Sequence, residues 1–283
     1  MSEHVRIYEV SPRDGLQNEK RIIPAQDKIK LVNMLSDCGF KNIEVTSFVS
    51  PKWVPQLADA AEVMAGITRK TSTVYGVLTP NMRGLEGALA SKAGEIAIFT
   101  AASESFCKKN TNCSIEESFE RFAPVAEAAK SSELPVRGYI SCVTDCPYEG
   151  KVEPQKVAEV AAKLIELGAY EISLGDTIGH GKPETVSAML DAVSNEVSVE
   201  KLAGHFHDTL GTALSNVEVS LEKGVRCFDS SAGGLGGCPY APGAAGNVDT
   251  GSVLQLLDQL GYETGINVTR LEEAEAFAKS LRA

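Results

Sequence analysis

Eight short runs rich in β-branched and aromatic residues recur along the chain. They are RIYEV at 6–10, NIEVT at 42–46, TSTVYGVL at 71–78, EIAIFTA at 95–101, VRGYISCV at 136–143, YEISLGD at 170–176, KLAGHFHD at 201–208 and RCFDSS at 226–231. Stretches with helical spacing of apolar residues separate most of them. PAQDKIKLVNMLSDCGF opens with a proline suited to a first helical turn and stops at Gly39. SIEESFERFAPVAEAAKSS begins with Ser114 and has Glu117 three residues later, a capping-box pattern. EPQKVAEVAAKLIELGA stops at Gly168, and DTLGTALSNVEVSLEKG stops at Gly224. Short strands alternating with helices at a period of about 25 to 35 residues imply parallel pairing and right-handed crossovers. Eight such units in 283 residues fit a (β/α)8 TIM barrel, with 1–283 forming one domain. A helix at about 268–282 then packs on the outside. The competing fold is an open doubly wound sheet. Its usual mark, G-x-G-x-x-G opening the first helix, is absent from SPRDGLQNEK, which follows the first run.

Composition narrows the partners. The formal net charge is −11, and no basic stripe exists that could track phosphates, so no nucleic acid partner is expected. No stretch of apolar residues is long enough for a membrane span, so no membrane partner is expected either. Neither a signal peptide nor an Arg-rich transit segment is recognisable near MSEHVRIYEV, which gives a bacterial-type, cytoplasmic expectation. Seven cysteines without a secretion signal read as free thiols. Cys142 with Cys146, and Cys107 with Cys113, lack the spacing of a structural zinc site.

In such a barrel catalytic groups lie at the C-terminal ends of strands. Here those ends carry Arg13 and Asp14, then Glu44 with Thr46 and Ser47, Ser173 with Asp176, His205 with His207, and the glycine-rich SSAGGLGGCPYAPGAAGN. Glu44 inside a barrel strand is costly unless paired, and Arg13 is its natural partner. That pair either orients a catalytic arginine or is purely structural. Residues i and i+2 of a strand point the same way, so His205 and His207 share a face. They are metal ligands or a bland half-buried pair. Asp14 could add an oxygen, or simply serve the D-G turn. Six glycines between 233 and 246 surround Cys238, which reads as a hinged loop carrying a thiol. Asn247 closes that loop as a helix N-cap or a further ligand.

Seven segments together resemble the 3-hydroxy-3-methylglutaryl-CoA lyase family: VSPRDGLQNEK at 10–20, TSFVSPKWVPQLAD at 46–59, ASESFCKKNTNCSIEESFERF at 102–122, RGYISCVTDCPYEGKV at 137–152, YEISLGDTIG at 170–179, HFHDTLG at 205–211 and AGGLGGCPYAPGAAGN at 232–247. The match spans nearly the whole chain, and GLGGCPY is its most specific part. The resemblance implies cleavage of 3-hydroxy-3-methylglutaryl-CoA to acetyl-CoA and acetoacetate, as in leucine degradation, assisted by one Mg2+ or Mn2+ per chain. It makes Asp14, His205, His207 and Asn247 metal ligands. Arg13 becomes the group that stabilises enolate charge, Glu44 and Asp176 support the site, and Cys238 takes part in proton transfer. Cys238, Asp14, His205 and a metal-bound water are the candidates for the base. The acyl-CoA would meet Arg13, Ser47, Ser173 and Lys20, with Asn18 and Lys108–Lys109 as further phosphate contacts. A homodimer is expected. Two positions depart from the pattern: Ala232–Gly233 replace a usual Val-Ala pair, and Gly251 stands where members often carry glutamate. The alternatives are a sister enzyme that condenses acetyl-CoA with a 2-oxo acid, a barrel that binds acyl-CoA or metal without catalysis, and a lyase for another 3-hydroxyacyl-CoA.

Overall fold

A computed structural model describes residues 3–236 and 246–282. Eight strands close into a barrel: β1 (Arg6–Glu9), β2 (Asn42–Ser47), β3 (Val74–Leu78), β4 (Glu95–Ala101), β5 (Val136–Ser141), β6 (Glu171–Asp176), β7 (Leu202–Phe206) and β8 (Cys227–Ser230). Every neighbouring pair is parallel, and closure comes from β1 against β8, with Arg6 opposite Cys227 and Glu9 opposite Ser230. Each of the eight runs read from the sequence contributes one strand. The outer layer is built from α1 (Ala25–Cys38), α2 (Ala60–Gly66), α3 (Met82–Ala90), α4 (Glu104–Thr111), α5 (Ile115–Ser131), α6 (Pro154–Glu166), α7 (Pro183–Ser194), α8 (Ala213–Glu222), α9 (Thr250–Gln259) and α10 (Val268–Ser280). A small hairpin, Asp145–Cys146 against Gly150–Lys151, decorates the loop after β5.

Local chemistry sets the helix limits. Ser114 and Glu117 form the expected box: Ser114 Oγ accepts the Glu117 N–H at 3.0 Å, and Glu117 Oε2 accepts the Ser114 N–H at 2.7 Å. Gly39 ends α1 at φ +99°, a conformation that costs glycine little and other residues more. Pro124 lies inside α5 on its exposed side, where water can take the hydrogen bond the ring forbids.

Alternation along the strands divides two interiors. Ile43 and Val45 of β2, Ile96 and Ile98 of β4, Ile172 and Leu174 of β6 join the apolar layer beneath the helices. Each such side chain contributes about 1.5–3 kcal/mol when fully buried. The residues between them face the barrel axis and are strongly polar. Asn42 and Glu44, Glu95, Arg137 and Tyr139, Glu171 and Ser173, His205 and Asp229 reach across the barrel to one another. Buried charge of this kind persists only when paired and hydrogen-bonded. Helix α10 packs against α1 and against the turn Ala232–Gly234.

Candidate active site

The loop after β1 starts with one wide helical turn, Ser11–Gly15, in which the Gly15 N–H reaches back to the Val10 carbonyl at 3.1 Å. Such π-type turns favour functional sites. It aims Arg13 and Asp14 into the barrel mouth. Gly15 is required there: a Cβ would come within 2.8 Å of Leu235 Cβ and 2.9 Å of Ser231 Oγ. Glu44 stands beside a register shift in β2, a local bulge that turns its carboxylate inward.

Arg13 and Glu44 pair as the sequence suggested. Arg13 Nε donates to Glu44 Oε2 at 2.7 Å, and Arg13 Nη1 donates to Asp14 Oδ1 at 2.6 Å. Tyr139 adds a hydrogen bond to Glu44 Oε2 at 3.2 Å and places its ring 5.5 Å from the guanidinium. Burial alone would lower the Arg13 pKa, but the charges of Glu44 and Asp14 outweigh it and hold the cation firmly protonated. Burial pushes Glu44 up despite Arg13, and Glu44 Oε1 has no partner among the described residues. For Asp14, burial is outweighed by Arg13 and the two imidazoles, which bring its pKa down to about 2.

His205 and His207 lie on one face, as an i, i+2 pair should, although β7 itself ends at Phe206. Their rings are 5.4 Å apart, and the two Nε2 atoms are separated by 3.4 Å. His207 bridges to Asn247, because residues 246–249 run between the ends of β7 and β8: Asp208 N donates to Gly246 O, Val248 N to Phe206 O, and Ser231 N to Val248 O. Asn247 Nδ2 donates to Asp14 Oδ2 at 2.7 Å and to Leu235 O at 3.2 Å. The N-cap of α9 is Asp249, which accepts from Ser252 N, so the capping role considered for Asn247 falls to its neighbour.

One oxygen of Asp14 and one nitrogen from each of His205 and His207 lie within 4.8 Å of one another. These three groups could hold a divalent cation, with Asn247 alongside. The geometry fits that use. His205 Nδ1 faces Asp229 Oδ2 at 3.0 Å, which places a proton there and turns Nε2 toward His207. Burial, and then the charge of His205, lower the His207 pKa to about 4, so this ring is neutral near pH 7. Two imidazole Nε2 atoms that converge beside a carboxylate make a donor set suited to a divalent cation.

The support for His205 was missed in the sequence. Asp229 is fully buried and accepts from Arg137 Nη2 at 2.7 Å, Arg137 Nη1 at 3.1 Å and Ser173 Oγ at 2.7 Å. Arg137 also binds Glu171 through Nε at 2.8 Å, and Arg6 reaches the other oxygen of Glu171. Despite burial, Arg137 and the His205 bond hold the Asp229 carboxyl far below its ordinary range. In return Asp229 raises the His205 pKa against the opposing effect of burial. The signal was available: Asp229 and Arg137 are charges inside runs that read as barrel strands.

Other expected site residues sit elsewhere or are already engaged. Ser173 spends its hydroxyl on Asp229. Asp176 uses both oxygens on Thr144, His180 and Gly181, fixing the loop after β6. Ser47 Oγ donates to Leu78 O and accepts from Val49 N. Lys20 is exposed on the loop after β1, and Lys108 and Lys109 lie on α4, where Lys109 covers the Tyr148 ring at 3.7 Å. Cys238 lies outside the described residues. At Gly251 a carboxylate arrives from another element: Glu275 Oε1 of α10 accepts the Gly251 N–H at 2.8 Å.

The HMGL-like family model matches residues 4–278. The chain belongs to the HMGL-like family. A Mus musculus relative named mitochondrial hydroxymethylglutaryl-CoA lyase is 56% identical over 277 residues, 98% of this chain and 85% of its own. A Pseudomonas aeruginosa relative, named 3-hydroxy-3-isohexenylglutaryl-CoA/hydroxy-methylglutaryl-CoA lyase, is 54% identical over 274 residues, 97% of this chain and 91% of its own. The crystal structure of the HMG-CoA lyase from Brucella melitensis superposes with a TM-score of 0.98 at 59% identity, covering 99% of each chain. That structure shares this barrel over almost its whole length.

Proposed function

We propose that this protein is a carbon–carbon lyase that cleaves 3-hydroxy-3-methylglutaryl-CoA to acetyl-CoA and acetoacetate at the barrel mouth. The observation that carries the reading is a held arginine, Arg13, hydrogen-bonded to the carboxylate that faces His205 and His207. Names borne by relatives at more than half identity over nearly the full chain support the substrate.

The reaction breaks the bond between the carbinol carbon and the carbon next to the thioester. The hydroxyl proton passes to a base drawn from Asp14, His205 or Cys238, a ketone forms, and the thioester fragment departs as an enolate that must take up a proton. Arg13 is the donor for that enolate oxygen, because it is permanently charged, buried and held from behind by Glu44. Its rigid fork leaves direction to its remaining N–H groups. Asp14, His205, His207 and Asn247 are the residues that would hold Mg2+ or Mn2+. Bound there, the cation supplies Lewis-acid polarisation of the hydroxyl and an adjacent carboxylate. Asp229 keeps the His205 proton on Nδ1. We assign protonation of the enolate carbon to the Cys238 thiol. Leu78, Phe99 and Tyr139 form an apolar cluster near Arg13 that suits the methyl branch. The name of the Pseudomonas aeruginosa relative favours a second substrate with a longer branch. Single-domain action, a homodimer and a cytoplasmic setting belong to the same proposal. No helix among the described residues is long and apolar enough to cross a membrane.

Release of acetoacetate and acetyl-CoA, measured with Mg2+, Mn2+ or EDTA, tests the reading, with His207→Ala run alongside. Metal-dependent release lost in the variant is the expected result. No release with either metal would sink the substrate assignment. Release that survives both EDTA and the substitution would remove the cation from it.

A further inference from the structure

Asp14 and Asn247 come from opposite ends of the chain, on the loops after β1 and β8. Both loops lie beyond the strand ladders, where a few backbone bonds, such as Gly15 to Val10 and Val248 to Phe206, share the work with side-chain bonds and packing. Something must set their separation. Asn247 bonds Asp14 directly, and Gly15 packs so closely on Leu235 that no Cβ fits. Behind them stands the last helix, which together with Arg282 meets the two loops at three places and the first turn of α9 at a fourth. Arg282, just past α10, donates from Nη2 to the Gly234 carbonyl at 2.7 Å. Its Nε lies 3.3 Å from Glu19 Oε1, on the β1 loop. Glu275 accepts the Gly251 N–H at 2.8 Å on the far side of the β8 loop. A Cβ on Gly233 would meet the Lys279 stem at 3.0 Å.

We infer that α10 is a clip across the two loops, and that Arg282 is a positioning residue for the Asp14–Asn247 pair. This inference rests on the cation-site reading above. A guanidinium fork suits the task, because separate N–H groups can serve a carboxylate on one loop and a carbonyl on the other. A lysine could keep the ion pair with Glu19 but lacks the fixed second direction. Sites of this kind tolerate errors of only about 0.5 Å between groups, so a slack bridge acts on the site without touching substrate.

The test uses the full chain with Arg282→Ala, Arg282→Lys and Glu19→Gln. Amide hydrogen exchange is read in peptides covering 13–20 and 231–236, with α6 as the control. Mn2+ affinity is measured on the same proteins. Exposed pairs are modest, so the Ala variant should exchange roughly three- to fivefold faster in both segments together and bind Mn2+ weaker by a similar factor. The Lys variant should fall between, and α6 should not change. Exchange that stays at the wild-type rate, or rises in only one segment, overturns the clip. Exchange that rises in both with unchanged Mn2+ affinity overturns the positioning role. Absence of saturable Mn2+ binding by the wild type would refute the cation site itself and the positioning role with it, while the exchange arms still report on the bridge.

Discussion

Asp229→Asn probes the hidden support of the site. The wild-type carboxylate has Oδ1 on Arg137, and Oδ2 on Arg137, Ser173 and His205. An amide has one oxygen, so one of these sets must face an NH2 group. If the NH2 takes the Oδ1 position, it meets a guanidinium N–H donor. If it takes the Oδ2 position, His205 Nδ1 must become an acceptor. Its proton then moves to Nε2 and blocks the lone pair that faces His207. Either way Arg137 is left with a net charge balanced only by Glu171, in a site with no solvent exposure. Breaking a buried pair from one side costs about 3–5 kcal/mol. That is a large share of the roughly 5–15 kcal/mol typical of a folded protein, yet small enough for the variant to fold. Loss of a hydrogen-bonded partner behind a ligating histidine weakens metal binding by about 10- to 100-fold. Urea unfolding gives the first figure, and Mn2+ titration of the folded variant gives the second. A variant with wild-type stability and Mn2+ affinity within about twofold would refute the network argued here.

Three other substitutions test separate parts of the structure. Glu9 is buried and accepts from Ser11 N, Ala232 N and Thr250 Oγ1, and burial raises its pKa from 4.5 to about 7. A raised carboxyl stabilises most when protonated: its contribution is full below about pH 4.5 and lost as pH rises through about 7. Glu9→Gln should therefore gain about 3 kcal/mol relative to wild type between pH 5 and pH 8, read by urea unfolding at each pH, and a flat difference would refute this. Arg13→Gln should lower kcat by about 10²- to 10³-fold, and it should also destabilise, because Glu44 loses its cation; steady-state kinetics with unchanged kcat would remove Arg13 from the chemistry. Gly15→Ala forces a Cβ to within 2.8 Å of Leu235 and should cost about 1–3 kcal/mol in thermal or urea unfolding, while an unaffected variant would show that the two loops yield easily.

Much of the fold was legible because strand and helix periods differ, and eight alternating units leave few topologies. The capping box at Ser114 and the stop at Gly39 were legible because each is a local bond or a local φ requirement. Which strand residues face the axis was harder. In a barrel both faces of a strand are buried, so polarity no longer marks the outside. Arg137, Glu171 and Asp229 therefore sat unnoticed inside runs that read simply as strands. Ser47, Ser173 and Asp176 carried the opposite difficulty. Each is polar and close to a strand end, but the same position that offers a group to substrate also offers it to the loop backbone or to a neighbouring carboxylate. In each case the nearer partner is engaged.

Apart from the family resemblance, the site was legible only through the fold. His205 and His207 form a local pattern, but Asp14 and Asn247 are 233 positions apart, and no spacing rule joins residues at that range. What joins them is closure. A barrel of eight parallel strands must pair its first with its last, and here Arg6 to Glu9 lies against Cys227 to Ser230. Once that pairing is accepted, the loop after β1 and the loop after β8 become neighbours at the same mouth. The loop after β7 is the next neighbour round the ring. A carboxylate, an amide and two imidazoles from those three strand ends and their loops must then converge. The cluster of Asp14, His205 and His207 is thus a consequence of barrel closure acting on three strand ends. An insertion that moved β8 out of register with β1 by two residues would separate Asp14 from Asn247 by about 6–7 Å along the strand direction and dismantle the site without altering any of its residues.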